Sequence, residues 1–189
     1  MYWDPLPTVV ASGNELVVGS KPRLFGPPED YLCGQWELRD WRNVPGPFYG
    51  AGTDTCQLGR GIAPDHVVYE DDQYSEVVFR QPRTVQETYL VLTAAWVDPF
   101  RAYACDGDDR WTWDAIREWW SARDRLGQWL DNTISVQSAG SDIYRENAQG
   151  LRGYRAYLND GLDSYLRNHG FWLDHHRAAQ PGETLPALN

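Results

Sequence analysis

Residues 65–81 read Asp65-His66-Val67-Val68-Tyr69-Glu70-Asp71-Asp72-Gln73-Tyr74-Ser75-Glu76-Val77-Val78-Phe79-Arg80-Gln81. Two apolar runs in this stretch decide the β part of the fold. Val67, Val68 and Tyr69 match Val77, Val78 and Phe79 across the acidic link Glu70-Asp71-Asp72-Gln73. β-Branched and aromatic side chains suit a pleated, buried surface. The spacing predicts a hairpin with strands over 65–69 and 75–81.

Upstream of this hairpin the chain reads as short extended pieces broken by Pro and Gly. Glu15-Leu16-Val17-Val18 and Thr8-Val9-Val10 are strand candidates separated by the turn residues Ser12-Gly13-Asn14. Lys21 to Asp30 reads as an extended connection, and Gln35 to Arg42 as a strand. From Asn43 to Pro64 no helix can continue, because Pro removes a backbone donor and Gly favours turns. Loops of this length are functional or are braced by their own side chains.

Downstream the period changes to helical. Thr84 and Glu87 have capping-box spacing ahead of a helix over 85–96. Phe100 to Ala104 can form one more strand. The next helix runs over 112–131, with Thr112 as N-cap and Asp114 at its positive end. Ile116, Trp119, Trp120, Leu126, Trp129 and Leu130 recur at helical steps, and Trp120 is expected in the core beside Ile116. Adjacent Trp119 and Trp120 cannot both point inward, so an indole must lie near the surface. Asn132 to Gly140 reads as a polar loop. A further helical region covers 142–168, weakened near Gly150, with Gly170 as a C-terminal stop. This pattern predicts an α+β fold: an antiparallel sheet from the first half with the helices of the second half packed on one face. The expectation is one domain over 1–177, with 178–189 as a tail outside it.

Charge restricts the partners. There are 27 acidic and 17 basic residues, a net charge of −10, and Lys21 is the only lysine. Such a chain repels nucleic-acid phosphate and anionic lipid and attracts basic proteins or cations. Cys33, Cys56 and Cys105 form no paired spacing, which suits a reducing compartment. The segment Met1-Tyr2-Trp3-Asp4-Pro5 has neither the basic region nor the apolar run of a secretory signal. A cytoplasmic location is therefore expected.

Motifs for known chemistry are sparse. Asp106, Asp108 and Asp109 are spaced closely enough to hold a hard divalent cation, though not as an EF-hand. They also suit the start of the helix that follows. Cys56 with His66 is the one pair that could be read as nucleophile and base, against a small buried cysteine anchoring its loop. His175 and His176 are adjacent and diverge on a helix, so His66, His169, His175 and His176 read as surface histidines rather than ligands. No catalytic residue, metal site or cofactor is expected.

Three segments taken together carry a resemblance: Trp41-Arg42-Asn43-Val44-Pro45-Gly46-Pro47-Phe48-Tyr49, then Phe79-Arg80-Gln81-Pro82, then Asp106-Gly107-Asp108 followed by Ile116-Arg117-Glu118-Trp119-Trp120. Over about residues 33–173 the chain resembles a group of small bacterial proteins associated with immunity to polymorphic toxins. The resemblance implies a bacterial cytosolic inhibitor and carries no catalytic residue with it. With the charge, it makes an acidic protein-binding module the expected function, most concretely an immunity protein that binds and neutralises a basic toxin domain. Expected partner contacts are Glu70, Asp71 and Asp72, with Asp106, Asp108 and Asp109. The alternative is a small metal-dependent hydrolase built on the Asp106–Asp109 cluster.

Overall fold

The structure is a computed structural model that describes residues 1–12, 16–18, 21–23 and 25–188. The chain is α+β. It divides into two compact units, one of residues 3–107 and one of residues 1–2 with 108 onwards. No helix among the described residues is long and apolar enough to cross a membrane.

The first unit begins with α1 (Leu6–Ser12). A strand was expected at Thr8–Val10, but the preceding Asp4-Pro5 starts a helix. The Asp4 carboxylate accepts from the Leu6 N–H at 2.9 Å, and the Pro5 carbonyl accepts from Thr8 and Val9 at 3.0 and 3.1 Å. Strands β1 (Leu16–Val18) and β2 (Lys21–Arg23) pair antiparallel. The expected turn at Gly13-Asn14 lies outside the described residues.

The expected strand at 35–42 is instead a short 3₁₀ turn, Trp36–Leu38. Sheet-like pairing occurs just before it, where the N–H groups of Cys33 and Gly34 donate to Arg101 and Tyr103. Trp36 is then free to stand edge-on to Tyr49, with centroids 5.4 Å apart, while the Arg39 guanidinium lies over its ring.

The remaining elements of this unit are β3 (Tyr49–Gly50), α2 (Gly59–Ile62), β4 (Val67–Tyr69), β5 (Glu76–Val78), α3 (Val85–Val97) and β6 (Tyr103–Ala104). The hairpin forms as its apolar runs require, with Val67 opposite Val78 and Tyr69 opposite Glu76. Every residue of both strands is buried, which explains why the runs are continuous rather than alternating. β3 pairs with β6. The strands of the described residues thus form three two-stranded antiparallel ladders. α3 starts at the expected Thr84 cap, whose hydroxyl accepts from the Glu87 N–H at 3.2 Å. Val67, Val78, Phe48, Tyr103, Val91 and Leu92 meet in one core.

The long segment over 43–64 is braced by buried amides. Asn43 Oδ1 accepts from the N–H of Gly50 at 3.0 Å and of Val78 at 2.8 Å. Its Nδ2 donates to the carbonyls of Asp40 and Gly50. Gln81 accepts from Phe48 N–H and donates to the carbonyls of Val44 and Phe48. What Asn43 and Gln81 do here is hold backbone.

After α4 (Gly107–Arg110) the second unit is helical: α5 (Trp113–Ser121), α6 (Arg123–Ser138), α7 (Asp142–Asn159) and α8 (Leu162–His175). The single helix expected over 112–131 is broken at Ala122. In a straight helix Leu126 would lie about 80° around the axis from Ile116, so the break lets each segment bury its own stripe. Ile116, Leu126 and Leu130 are buried. Trp119, Trp120 and Trp129 are only partly so, which corrects the expectation of a core Trp120. Ile116→Ala should therefore lower stability by about 3 kcal/mol, and Trp120→Ala by clearly less. Urea midpoints of the two variants measure this, and a larger loss for Trp120→Ala would contradict it.

The polar stretch over 132–138 is helix rather than loop. Its buried Gln137 accepts from the Asn147 amide on α7 at 2.9 Å, so a polar-looking segment has an inward face. The break in the last helical region falls at Gly161, not Gly150. Gly161 has φ of 103°, a conformation costly for any residue with a Cβ, whereas Gly150 is buried within α7.

Candidate functional site

Glu70, Asp71 and Asp72 were expected to face a partner, and the structure gives them different roles. Glu70 is buried, and its carboxylate accepts backbone N–H groups of Asp72 and Gln73 at 2.6 Å and of Ser75 at 3.0 Å. It holds the hairpin link in shape. Asp71 pairs with Arg42 at 3.1 Å, and that guanidinium also pairs with Asp40 at 2.8 Å. Burial raises the Asp40 pKa, partly offset by hydrogen bonding and charge from Arg42. Asp72 is exposed beside a small hollow of about 200 Å³ that Asp40, Arg42 and Glu70 also line. The three acids bring ligand atoms within 4.8 Å of one another, but both Glu70 oxygens already serve backbone donors.

This division is testable. Glu70→Gln should lower stability by about 1–3 kcal/mol, because the charge-assisted bonds that this buried carboxylate accepts from the backbone are weakened. Asp72→Asn should leave stability unchanged within about 0.5 kcal/mol. Equal midpoints for the two variants would contradict the bracing role of Glu70.

The acids at 106–109 are likewise divided. In the first unit Asp106 accepts from the Tyr49 hydroxyl at 2.7 Å. In the second, Asp108 accepts from the Tyr2 hydroxyl at 2.5 Å and pairs with His169 Nε2 at 2.9 Å. Asp109 is exposed. His169 is fully buried and stacks on Tyr2 with centroids 5.1 Å apart. His66 is also buried, with Nδ1 3.0 Å from the Arg80 carbonyl and its pKa lowered by burial. Both depart from the surface placement expected for histidines.

Cys56 is exposed rather than buried. The charge of Asp54, with a hydrogen bond to it, raises the thiol pKa, so the thiolate is disfavoured. No hydrogen bond joins Cys56 to His66 among the described residues. That pair lacks the activation that nucleophilic catalysis needs.

A larger concavity lies wholly within the helical unit. A groove of about 720 Å³ is lined by residues of α5, α6, α7 and the start of α8. Trp120 and Leu158 supply its apolar surface. Arg155 spans it, with Nε 3.0 Å from Asp131 Oδ1, and also bonds Asn159. The Arg123 guanidinium lies 5.1 Å from the Trp120 ring centroid. Asp124, Asp160 and Asp163 complete the rim. Their side chains are exposed and have no hydrogen-bond or ion-pair partner among the described residues.

Sequence reasoning overlooked these three acids. They are scattered over 40 positions and form no run, and only the folding of α6 against α7, with the turn into α8, brings them to one groove. The compact acidic runs attracted attention instead, and much of their charge is used internally. Comparison of the chain with protein-family models, with curated proteins and with solved structures finds no match.

Proposed function

We propose that this chain is an acidic protein-binding module that sequesters a basic protein, in its most concrete form an immunity protein that neutralises a cognate bacterial toxin. The observation that carries this reading is the groove of the helical unit, where carboxylates without internal partners line the same concavity as an indole. Unpaired surface acids steer a basic partner and quicken association, and a half-buried Trp is the residue type that anchors an interface. The overall charge of −10 acts in the same direction over longer range.

The test begins with purification of the intact protein from its native host and identification of any stoichiometric basic companion. Expression of that companion alone should arrest growth, and co-expression with this chain should restore it. Association of the purified pair should slow markedly between about 50 and 300 mM salt, as screening shortens the reach of the field. A companion whose activity is undiminished in the complex would overturn the reading, as would a salt-independent association rate.

A further inference from the structure

The helical groove has features that narrow what it can accept. Its volume of about 720 Å³ falls within the usual range for ligand sites, about 300–1,000 Å³, and exceeds the space needed for one side chain. Its charge is uneven. Asp131 is already paired with Arg155, whereas Asp124, Asp160 and Asp163 have no partner among the described residues. Lining residues also show, within the protein, two ways in which guanidinium is held here. Arg155 lies along the Asp131 carboxylate, with Nε–Oδ1 at 3.0 Å and the second nitrogen 3.5 Å from Oδ2. Arg123 lies over the Trp120 indole.

From this we infer that the groove is the seat of an arginine-bearing segment of the basic protein partner, which lays guanidinium groups against Asp124, Asp160 and Asp163 and aliphatic stems against Trp120 and Leu158. This rests on the protein-binding reading given above. Carboxylate geometry favours arginine over lysine, because a planar fork can take two parallel bonds where an ammonium offers a point charge. An indole face adds cation–π attraction that a guanidinium uses well.

The experiment uses the full chain, labelled with ¹⁵N, and an acetylated, amidated nonapeptide with arginine at alternate positions and glycine between. Backbone amides over 120–131 and 155–163 should shift saturably. Citrulline in place of arginine, which keeps shape and removes charge, should abolish the shifts. The triple variant Asp124→Asn, Asp160→Asn, Asp163→Asn should bind the peptide at least tenfold more weakly while its spectrum still reports a folded protein. Asp72→Asn in the hairpin link should bind as wild type does. Shifts centred on the link, an unchanged affinity in the triple variant, or binding of spermine, or of the same nonapeptide with lysine in place of arginine, as tight as the arginine peptide would overturn the inference.

Failure here and failure of the functional reading are separable. If the native partner is neutralised equally by the triple variant, the groove is not its seat but the chain remains an inhibitor. If the peptide binds as described and no partner is inhibited, the groove stands and the inhibitor reading falls.

Discussion

Replacing Asn43 with alanine is expected to cost about 4 kcal/mol of unfolding free energy, a large share of the 5–15 kcal/mol typical of a domain. The reason lies in strand geometry. Ladder bonds from Phe79 N–H to the His66 carbonyl and from Glu70 N–H to the Ser75 carbonyl place Val78 between them, in a pair whose backbone groups face away from the partner strand. Gly50 is placed likewise, next to the bond from Ala51 N–H to the Ala102 carbonyl. One side-chain oxygen of Asn43 accepts both outward N–H groups and so stitches β3 to β5. The carbonyls of Asp40 and Gly50 that receive its amide keep second donors, the N–H groups of Asn43 and Asp40. The two N–H groups, in contrast, lose this acceptor at a buried site, at about 1–3 kcal/mol each. Removal of a fully buried side chain adds a cavity term. Urea unfolding followed by Trp fluorescence measures the loss. A change below about 1 kcal/mol would mean that water or a neighbouring group replaces the amide.

Glu76 is expected to make the stability of the protein depend on pH in the range where most carboxylates no longer titrate. Its carboxyl is buried, accepts from the Tyr103 hydroxyl at 2.5 Å and from the Gly59 N–H at 2.6 Å. Burial pushes its pKa up to about 7; these two bonds oppose the rise, and the charges of Asp54 and Asp98 add to it. The folded value thus lies above the ordinary 4.5, and the protonated form is the one favoured by folding. Its contribution is complete below about pH 4.5 and is lost as the pH rises to about 7, amounting to about 3 kcal/mol. Other groups titrate as well, so the informative quantity is the difference from Glu76→Gln. A glutamine imitates the protonated acid, with an oxygen for Gly59 and an N–H for the Tyr103 oxygen. From pH 5 to pH 8 the variant should gain about 2–3 kcal/mol relative to wild type. Parallel stability curves would show that Glu76 stays ionised when buried.

Elements whose signals are local were legible from residues alone. The hairpin over 67–78 and the Thr84 and Thr112 caps stand where the residue types required. Features that depend on distant partners were not. Gln35 to Arg42 looked like a strand because Trp36, Leu38 and Trp41 alternate unevenly along it, but Trp36 is committed to Tyr49 and Arg39. The helix over 132–138 was hidden because its inward face is polar and finds Asn147 only after α7 docks. Among the candidate site residues, exposure separated those whose charge is outward, Asp72 and Asp109, from Glu70 and Asp108, whose partners are backbone, Tyr2 and His169. Runs of acids advertise charge, but hydrogen bonding decides whether that charge is available.

Tyr2 stacks on His169 and lies close to Trp172 and Tyr165, so the helical unit is assembled from pieces of chain 106 positions apart at the Tyr2–Asp108 bond. Closing so long a loop is entropically unfavourable while the intervening residues are disordered and much less so once they have folded. Docking of Tyr2 is therefore thermodynamically linked to the folding of residues 3–107, whatever the strength of its own contacts. A fragment starting at Asp108 would retain every helix of that unit from α5 onward, yet would lose the ring that covers His169. Supplying the missing aromatic as a separate peptide would have to overcome the dilution that the continuous polypeptide avoids, so a cut at Gly107 parts the helical unit from one of its own pieces.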